Sequence, residues 1–416
     1  MKESATLEFK SDITNTFLKT VSAYSNYGEG RILFGVDDDG RIVGVKDVKQ
    51  ACLDIENKIN DSISPRPDYS LDVDADTNVI TLLIKEGKHK PYLYKSKAYK
   101  RNDTASVEVD YLEFTELVLK GQNLTFDDIS SANQNLEFSY LEKKLQETIG
   151  IDSLTNDILR TLGLYTSERH YNNAAALLAD KNDFRGIDIA RFGESISYIL
   201  DRRTLANISV LSQYDQAVEI YRQYYQYEVI DEIKRKTVEN VPERAFREAV
   251  ANAIVHRKWN VDAHIRIEMY SDRIEIFSPG GLPAGVTVDD YVNGRVSILR
   301  NPILGGVFFR MHYIEQFGTG IRRIKEAYQD NSRKPVFDIS ENVIHVILPV
   351  LGHSDLSEDQ KKIYELMKMG REISSSMAAQ ETGFSKSKAT TILKDLVAGG
   401  YVKVIGKGRG TKYAKK

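Results

Sequence analysis

Apolar spacing sets the first expectations. Phe17, Leu18, Val21 and Tyr24 recur at helical intervals until SNYGEG interrupts them at Gly28 and Gly30. RILFGV and RIVGV are short β-branched runs on either side of DDDG, a pattern that predicts a hairpin turning at Asp-Gly. YSLDVDAD and NVITLLIKE predict a second strand pair and LYKSKAYKRND a third, so residues 1–120 read as one mixed α/β domain. GQNLTFDDISSANQN (121–135) reads as a linker. From 136 to 237 the period is helical and predicts a helical connector, with QYDQAVEIYRQYYQYEVIDEIK as one long amphipathic helix. Its Tyr221, Tyr224, Tyr225 and Tyr227 read as packing residues. Residues 238–350 predict a helix (ERAFREAVANAIVH), the strands HIRIEMY and DRIEIFSP, a Gly/Pro-rich loop, another helix and a closing strand, NVIHVILPV. After LGHSDLSEDQ, a second linker, residues 357–416 carry three helical periods and a strand hairpin. The fold class expected is α+β and multidomain.

The last block is the most defined. Ser357 is placed to cap a helix that turns Ile363, Leu366 and Met367 inward. A second short helix ends at Gly383, Ser385 begins a third, and YVKVIGKGRGTKYAKK reads as two strands around a Gly-rich wing. Two helices joined by a tight turn are a helix-turn-helix arrangement. Charge gives it a chemistry. Residues 386–416 hold nine Lys/Arg and one acid, Asp395, so this stretch carries +8 against −3 for the whole chain, and the remainder is acidic at −11. Lys386, Lys388, Thr390 and Thr391 lie near the start of the third helix, where groove contacts occur, and Lys407, Arg409 and Lys412 suit phosphates. The block resembles the winged-helix family over 357–416, which implies DNA as a partner.

Composition narrows the class. With 41% hydrophobic and 28% charged residues over 416 positions, the chain reads as several globular domains, not as a collagen-like, disordered or coiled-coil protein. One cysteine, Cys52, excludes a disulfide framework and a multi-Cys metal site, and fits a reducing, cytoplasmic setting. No apolar run approaches a membrane span and the polar start MKESATLEFKSD lacks a signal-peptide pattern, so no membrane partner is expected.

Two further blocks carry candidate chemistry. On the helix 243–256, Glu248, Asn252 and His256 recur every four residues, opposite Phe246, Val250, Ala253 and Ile254. Gly280 and Gly281 in SPGGLP, and Gly318, Thr319 and Gly320 before a helix, offer backbone N–H groups of the kind that bind anions. Together REAVANAIVHRKW, DRIEIFSPGGLP, RNPIL and EQFGTGIRRI resemble the divergent GHKL-type ATPase domain of predicted bacterial regulators. The resemblance implies an α/β sandwich that binds ATP or another nucleotide, with Glu248 in the catalytic position and Asn252 as the magnesium-binding residue. SPGGLP carries no acid where that family places its adenine-contacting aspartate, so ATP hydrolysis is not expected. A helicase is not expected either, because no GxxxxGK[ST] loop occurs.

At the other end Glu3, Glu8 and the acids of 37–39 flank predicted strands, but a five-residue spacing puts Glu3 and Glu8 on one face of neither a helix nor a strand. ESATLEFK, VSAYSNYGEGRILFGVDDDGRIVGV and KAYKRNDTASVE resemble the Schlafen AlbA-type domain. That resemblance implies Glu3, Glu8 and Asp38 as ligands of Mg²⁺ or Mn²⁺, with Lys10 as the neighbouring catalytic cation, in cleavage of structured RNA such as tRNA, or of DNA. Animal relatives clamp substrate between two such lobes. One lobe here, together with the tyrosine-rich helix, points to a homo-oligomer. Two readings therefore stand: a DNA-binding transcription regulator with a ligand-sensing GHKL-like domain, and a Schlafen-like metal-dependent endonuclease compatible with phage defence.

Overall fold

The computed structural model describes residues 2–231, 234–283, 285–296, 298–314, 318–331, 333–351, 356–367, 371–398, 401–406 and 408–415. Contacts divide the chain into two units, Met1–Ile129 and Ser130–Lys416.

In chain order the first unit contains β1 (Leu7–Lys10), α1 (Phe17–Tyr27), β2 (Gly30–Phe34), α2 (Val48–Ser62) and β3 (Ile63–Ser64). There follow β4 (Tyr69–Asp74), β5 (Val79–Ile84), β6 (Leu93–Tyr94), β7 (Tyr99–Asn102), β8 (Ala105–Glu108) and α3 (Tyr111–Gln122). The main sheet runs β1-β2-β5-β4, with β1 and β2 parallel and the other pairs antiparallel. Phe17, Leu18, Val21 and Tyr24 of α1 are buried as their spacing required, against Ile32 and Phe34 of β2, Ile80 and Leu82 of β5, and Ile55 and Ile59 of α2. Gly30 permits this closeness, since a Cβ there would lie 2.4 Å from the Tyr24 ring.

Two expectations change here. RIVGV forms no strand: a single Val36–Ile42 bridge closes the DDDG turn, while β2 pairs with β1 and β5. Ile42 and Val43 are exposed, so the run lacks the buried alternate face of a strand, Val45 alone packs partly against the core, and Gly44 interrupts the run at positive φ. Helix α3, unmarked in the sequence reading, extends to Gln122 behind an Asp110–Glu113 capping box.

The second unit begins with α4 (Ser139–Ile149), α5 (Asn156–Thr161), α6 (Asn173–Leu178), β9 (Ile187–Phe192), β10 (Ile199–Leu205) and α7 (Val210–Tyr225). It continues through β11 (Gln226–Asp231), β12 (Lys234–Glu239), α8 (Glu243–Val255), β13 (Ile265–Met269), β14 (Arg273–Pro279) and α9 (Val288–Val292). Then come α10 (Pro302–Arg310), α11 (Gly320–Glu326), β15 (Val336–Ile339) and β16 (Val343–Pro349). The helical connector expected over 136–237 is only partly helical. Its IDIARF and ILDRRTL runs form β9 and β10, and β9 joins β13 in parallel to complete a sheet ordered β10-β9-β13-β14-β16-β15. The physical reason is the period-two placement of Ile187 and Ile189, both buried. The long tyrosine helix likewise stops at Tyr225, where the chain enters the β11–β12 hairpin. Tyr221 and Tyr225 are core residues as expected, and Tyr221 stacks on Phe246 of α8 at 4.6 Å; Tyr227, on β11, is exposed.

The chain continues into α12 (Glu358–Glu365), α13 (Ser375–Thr382), α14 (Lys386–Ala398), β17 (Val402–Ile405) and β18 (Lys412–Lys415). Ser357 and Gln360 form a capping box, and Gly383 ends α13 at φ 73°. Ile363, Met367, Ile373, Ala378, Ala389, Leu393 and Leu396 make the core of this part, with Leu366 half-buried. Among the described residues no helix is long and apolar enough to cross a membrane.

Candidate functional site

Glu8 is buried at the centre of the first unit. Its Oε2 accepts from Thr20 Oγ1 at 2.6 Å and meets Arg101 Nη1 at 2.5 Å, and its Oε1 lies 2.8 Å from Lys10 Nζ. Arg101 also donates to Ser106 Oγ and to the Ser4 carbonyl, and its guanidinium sits over the Tyr24 ring at 5.8 Å. This carboxylate therefore ties β1 to α1 and to the β7–β8 hairpin. Glu3 caps the start of β1 by accepting from the Phe9 amide at 2.8 Å. Asp38 is exposed in the turn that Asp37 organises through the Arg41 amide.

The expected metal set of Glu3, Glu8 and Asp38 is thus not brought together, and no group of three or more His, Cys, Asp or Glu suited to a metal occurs among the described residues. The donor chemistry agrees. Both Glu8 oxygens already hold cationic nitrogens, whose charge opposes a divalent ion at the same point. Mg²⁺ or Mn²⁺ does not fit this arrangement. Arg101 was missed in the sequence reading, although it lies inside the KAYKRNDTASVE block that carries the resemblance.

In the second unit Glu248, Asn252 and His256 do share one side of α8 and its C-terminal cap. Glu248 is buried, and desolvation raises its carboxyl above the ordinary range against the lowering influence of Arg323, Arg244 and Arg247. Burial, aided by the Arg300 charge, pushes the His256 imidazole down to about 4. Its Nδ1 and the Thr319 hydroxyl are both buried without hydrogen-bond partners among the described residues. The N-terminus of α11 closes directly on this face: a Cβ at Gly320 would lie 2.4 Å from Glu248 Oε1 and 2.7 Å from Asn252 Nδ2.

Among the described residues a narrow space of about 40 Å³ remains, with Asn252, His256, Tyr291, Gly318, Gly320 and Ile321 among its lining. Gly280 and Gly281 are committed elsewhere, since their amides donate to the carbonyls of Asn342 (2.7 Å) and Glu341 (2.9 Å) in the turn between β15 and β16. These two amides are therefore not the phosphate cradle that the sequence suggested.

In the C-terminal part Ser385 Oγ accepts from the Lys388 amide and starts α14. Ala389, Ile392, Leu393 and Leu396 face the core, which leaves Lys386, Ser387, Thr391 and Lys394 exposed and Thr390 half-buried. Lys386 and Lys394 have no ion pair among the described residues. Lys388 is held on the side of α12, with Nζ 2.6 Å from Asp359 Oδ2 and stacked on Phe384, and Lys412 pairs with Glu372. The Thr390 and Thr391 hydroxyls donate back to the carbonyls of Lys386 and Ser387. Lys407 lies outside the described residues, and Arg409 lies in the short turn Gly408–Gly410 between β17 and β18.

Residues 3–110 match the family model described as "Schlafen, AlbA_2", and residues 262–348 match "Putative ATP-dependent DNA helicase recG C-terminal". The chain carries both domains. It is a mixed α/β multidomain protein, and the second match begins after α8, so Glu248 and Asn252 fall outside it. The crystal structure of the DIP2311 protein from Corynebacterium diphtheriae is similar at 20% identity, covering 99% of this chain and 92% of its own, with a TM-score of 0.48. An NMR structure of the N-terminal domain of a "Putative ATP-dependent DNA Helicase RecG-related Protein" from Nitrosomonas europaea is 22% identical. It covers 26% of this chain and 83% of its own, with a TM-score of 0.20. No curated protein matches significantly.

Proposed function

We propose that this protein is a nucleic-acid-binding regulator that holds duplex DNA through its C-terminal part. The observation that carries the reading is the solvent face of α14. Lys386, Ser387, Thr391 and Lys394 stand exposed along one side of a capped helix whose other side is core. Three helices followed by a two-stranded hairpin with a Gly-rich connection are the order of a winged helix, in which the third helix enters the major groove. The +8 charge of 386–416 supplies the phosphate attraction that an acidic body lacks. The two family matches, to an AlbA_2 domain and to a helicase-derived domain, support association with nucleic acid in general.

In this reading the Schlafen AlbA_2 and RecG-like domains are regulatory parts. The Glu8–Arg101 pair and the close packing of Gly320 on Glu248 and Asn252 both favour that role over metal-dependent cleavage or ATP turnover. The test is duplex binding by the full chain and by a chain ending before Ser357. Loss of salt-sensitive binding on truncation supports the assignment; unchanged binding overturns it. Incubation with tRNA and DNA in Mn²⁺ is the control, and cutting that Glu8→Gln abolishes would restore the nuclease reading.

A further inference from the structure

Strand β10 ends the six-stranded sheet, so one row of its backbone N–H and C=O groups faces away from β9. A register shift between Ile199 and Asp201 leaves Asp201–Leu205 as the regular, pairable stretch. Just before it, Ile196, Tyr198, Ile199 and Leu200 are 71%, 66%, 55% and 60% exposed. Four large apolar side chains in five positions make a patch, whereas isolated exposed residues need no explanation.

The pairable stretch is charged in a self-complementary way. Asp201 and Arg203 share one face of β10, where Asp201 accepts from Tyr224 Oη at 2.8 Å and lies 3.1 Å from Arg203 Nε. Arg202 and Thr204 take the opposite face and both bond Asp188 on β9. We propose that two copies of this chain form a two-fold dimer by antiparallel pairing of β10 with β10, centred on Arg202. That register sets Asp201 opposite the partner's Arg203, and Arg203 opposite the partner's Asp201. Shifting the centre to Asp201 or to Arg203 instead places like charges face to face. Arg202 meets its own copy at the centre, but Asp188, 2.7 Å away, already neutralises it. The contact is isologous and closes at two copies, extending the sheet across the axis while the Ile196–Leu200 patches flank the joined strands.

This dimer does not rest on the nucleic-acid reading. Its test is the solution mass of the full chain at micromolar concentration, with circular dichroism as the folding control. The wild type is expected at twice the 47.1 kDa of one chain. Asp201→Arg and Arg203→Asp each create two like-charge contacts and should weaken the dimer roughly tenfold or more in Kd. Mixing those two variants restores both opposite-charge pairs and should return a heterodimer, as should the double variant Asp201→Arg/Arg203→Asp. A monomeric wild type overturns the proposal. So does a dimer that is indifferent to both reversals, or a pair of reversed variants that stay monomeric when mixed.

Discussion

Glu8 and Arg101 form an ion pair across 93 residues of sequence, with each side chain only 6% exposed. Removing one partner of such a pair strands a buried charge, which costs about 3–5 kcal/mol. Glu8→Gln is therefore expected to loosen the first unit by that order, and Glu8→Gln/Arg101→Met to recover a large part of it. Hydrogen exchange of the β1 and α1 amides reads both. Equal loss in the single and double variants would mean that the carboxylate does not serve chiefly to hold Arg101.

Gly320 makes a second close approach. A methyl group there meets Glu248 Oε1 and Asn252 Nδ2 well inside contact distance, so Gly320→Ala must displace α11 or rotate both side chains. Overpacking of this kind costs about 1–3 kcal/mol. Trp259, the single tryptophan and a buried residue of the same unit, reports the change by fluorescence-monitored unfolding. Adding Glu248→Ala removes the obstruction and should return much of the stability.

His256 and Glu248 give opposite pH signatures. The folded His256 pKa, about 4, is below the unfolded value near 6.5, so the unfolded chain binds the extra proton. Its contribution is full above pH 6.5 and is lost as pH falls through 4, on the order of 3 kcal/mol. A His256→Asn variant should show a shallower fall over that window in urea titrations at successive pH values.

Glu248 has a raised folded pKa, so its burial favours the protonated form and stability falls as pH rises above about 4.5. Glu248→Gln is expected to stabilise the second unit at neutral pH and to lose that advantage in acid, read by urea titrations at both pH values. A stabilisation that persists unchanged at low pH would locate the effect in packing instead.

On α14, Lys394→Ala and Lys386→Ala should each weaken duplex binding to all sequences alike and reduce the slope of log K against log salt by about one. Lys388→Ala, which breaks the contact to Asp359, should instead lower the thermal stability of the C-terminal part and leave the slope nearly unchanged.

The sequence by itself determined whatever repeats locally. Helices α1, α8, α12, α13 and α14, the β4–β5 pair and the inward faces of Phe246, Val250, Ile363 and Met367 follow from spacing and caps, because one face of each element must leave water. Local pattern failed where pairing partners lie far away. β9 and β10 read as connector because their strand character is redeemed only by β13, and RIVGV read as a strand because its lack of a buried face is invisible in the sequence. The candidate sites divide the same way. Motif blocks marked Glu8, Lys10, Glu248 and Gly320, but only the tertiary structure decided what surrounds them. Arg101 arrives beside Glu8 from β7 and occupies the carboxylate with positive charge, while Gly320 at the start of α11 packs directly on Glu248 and Asn252. The net charge and the +8 at the C-terminal end were fixed by composition; packing decided that Lys388 is held by Asp359 and Lys412 by Glu372, while Lys386 and Lys394 have no ion pair among the described residues.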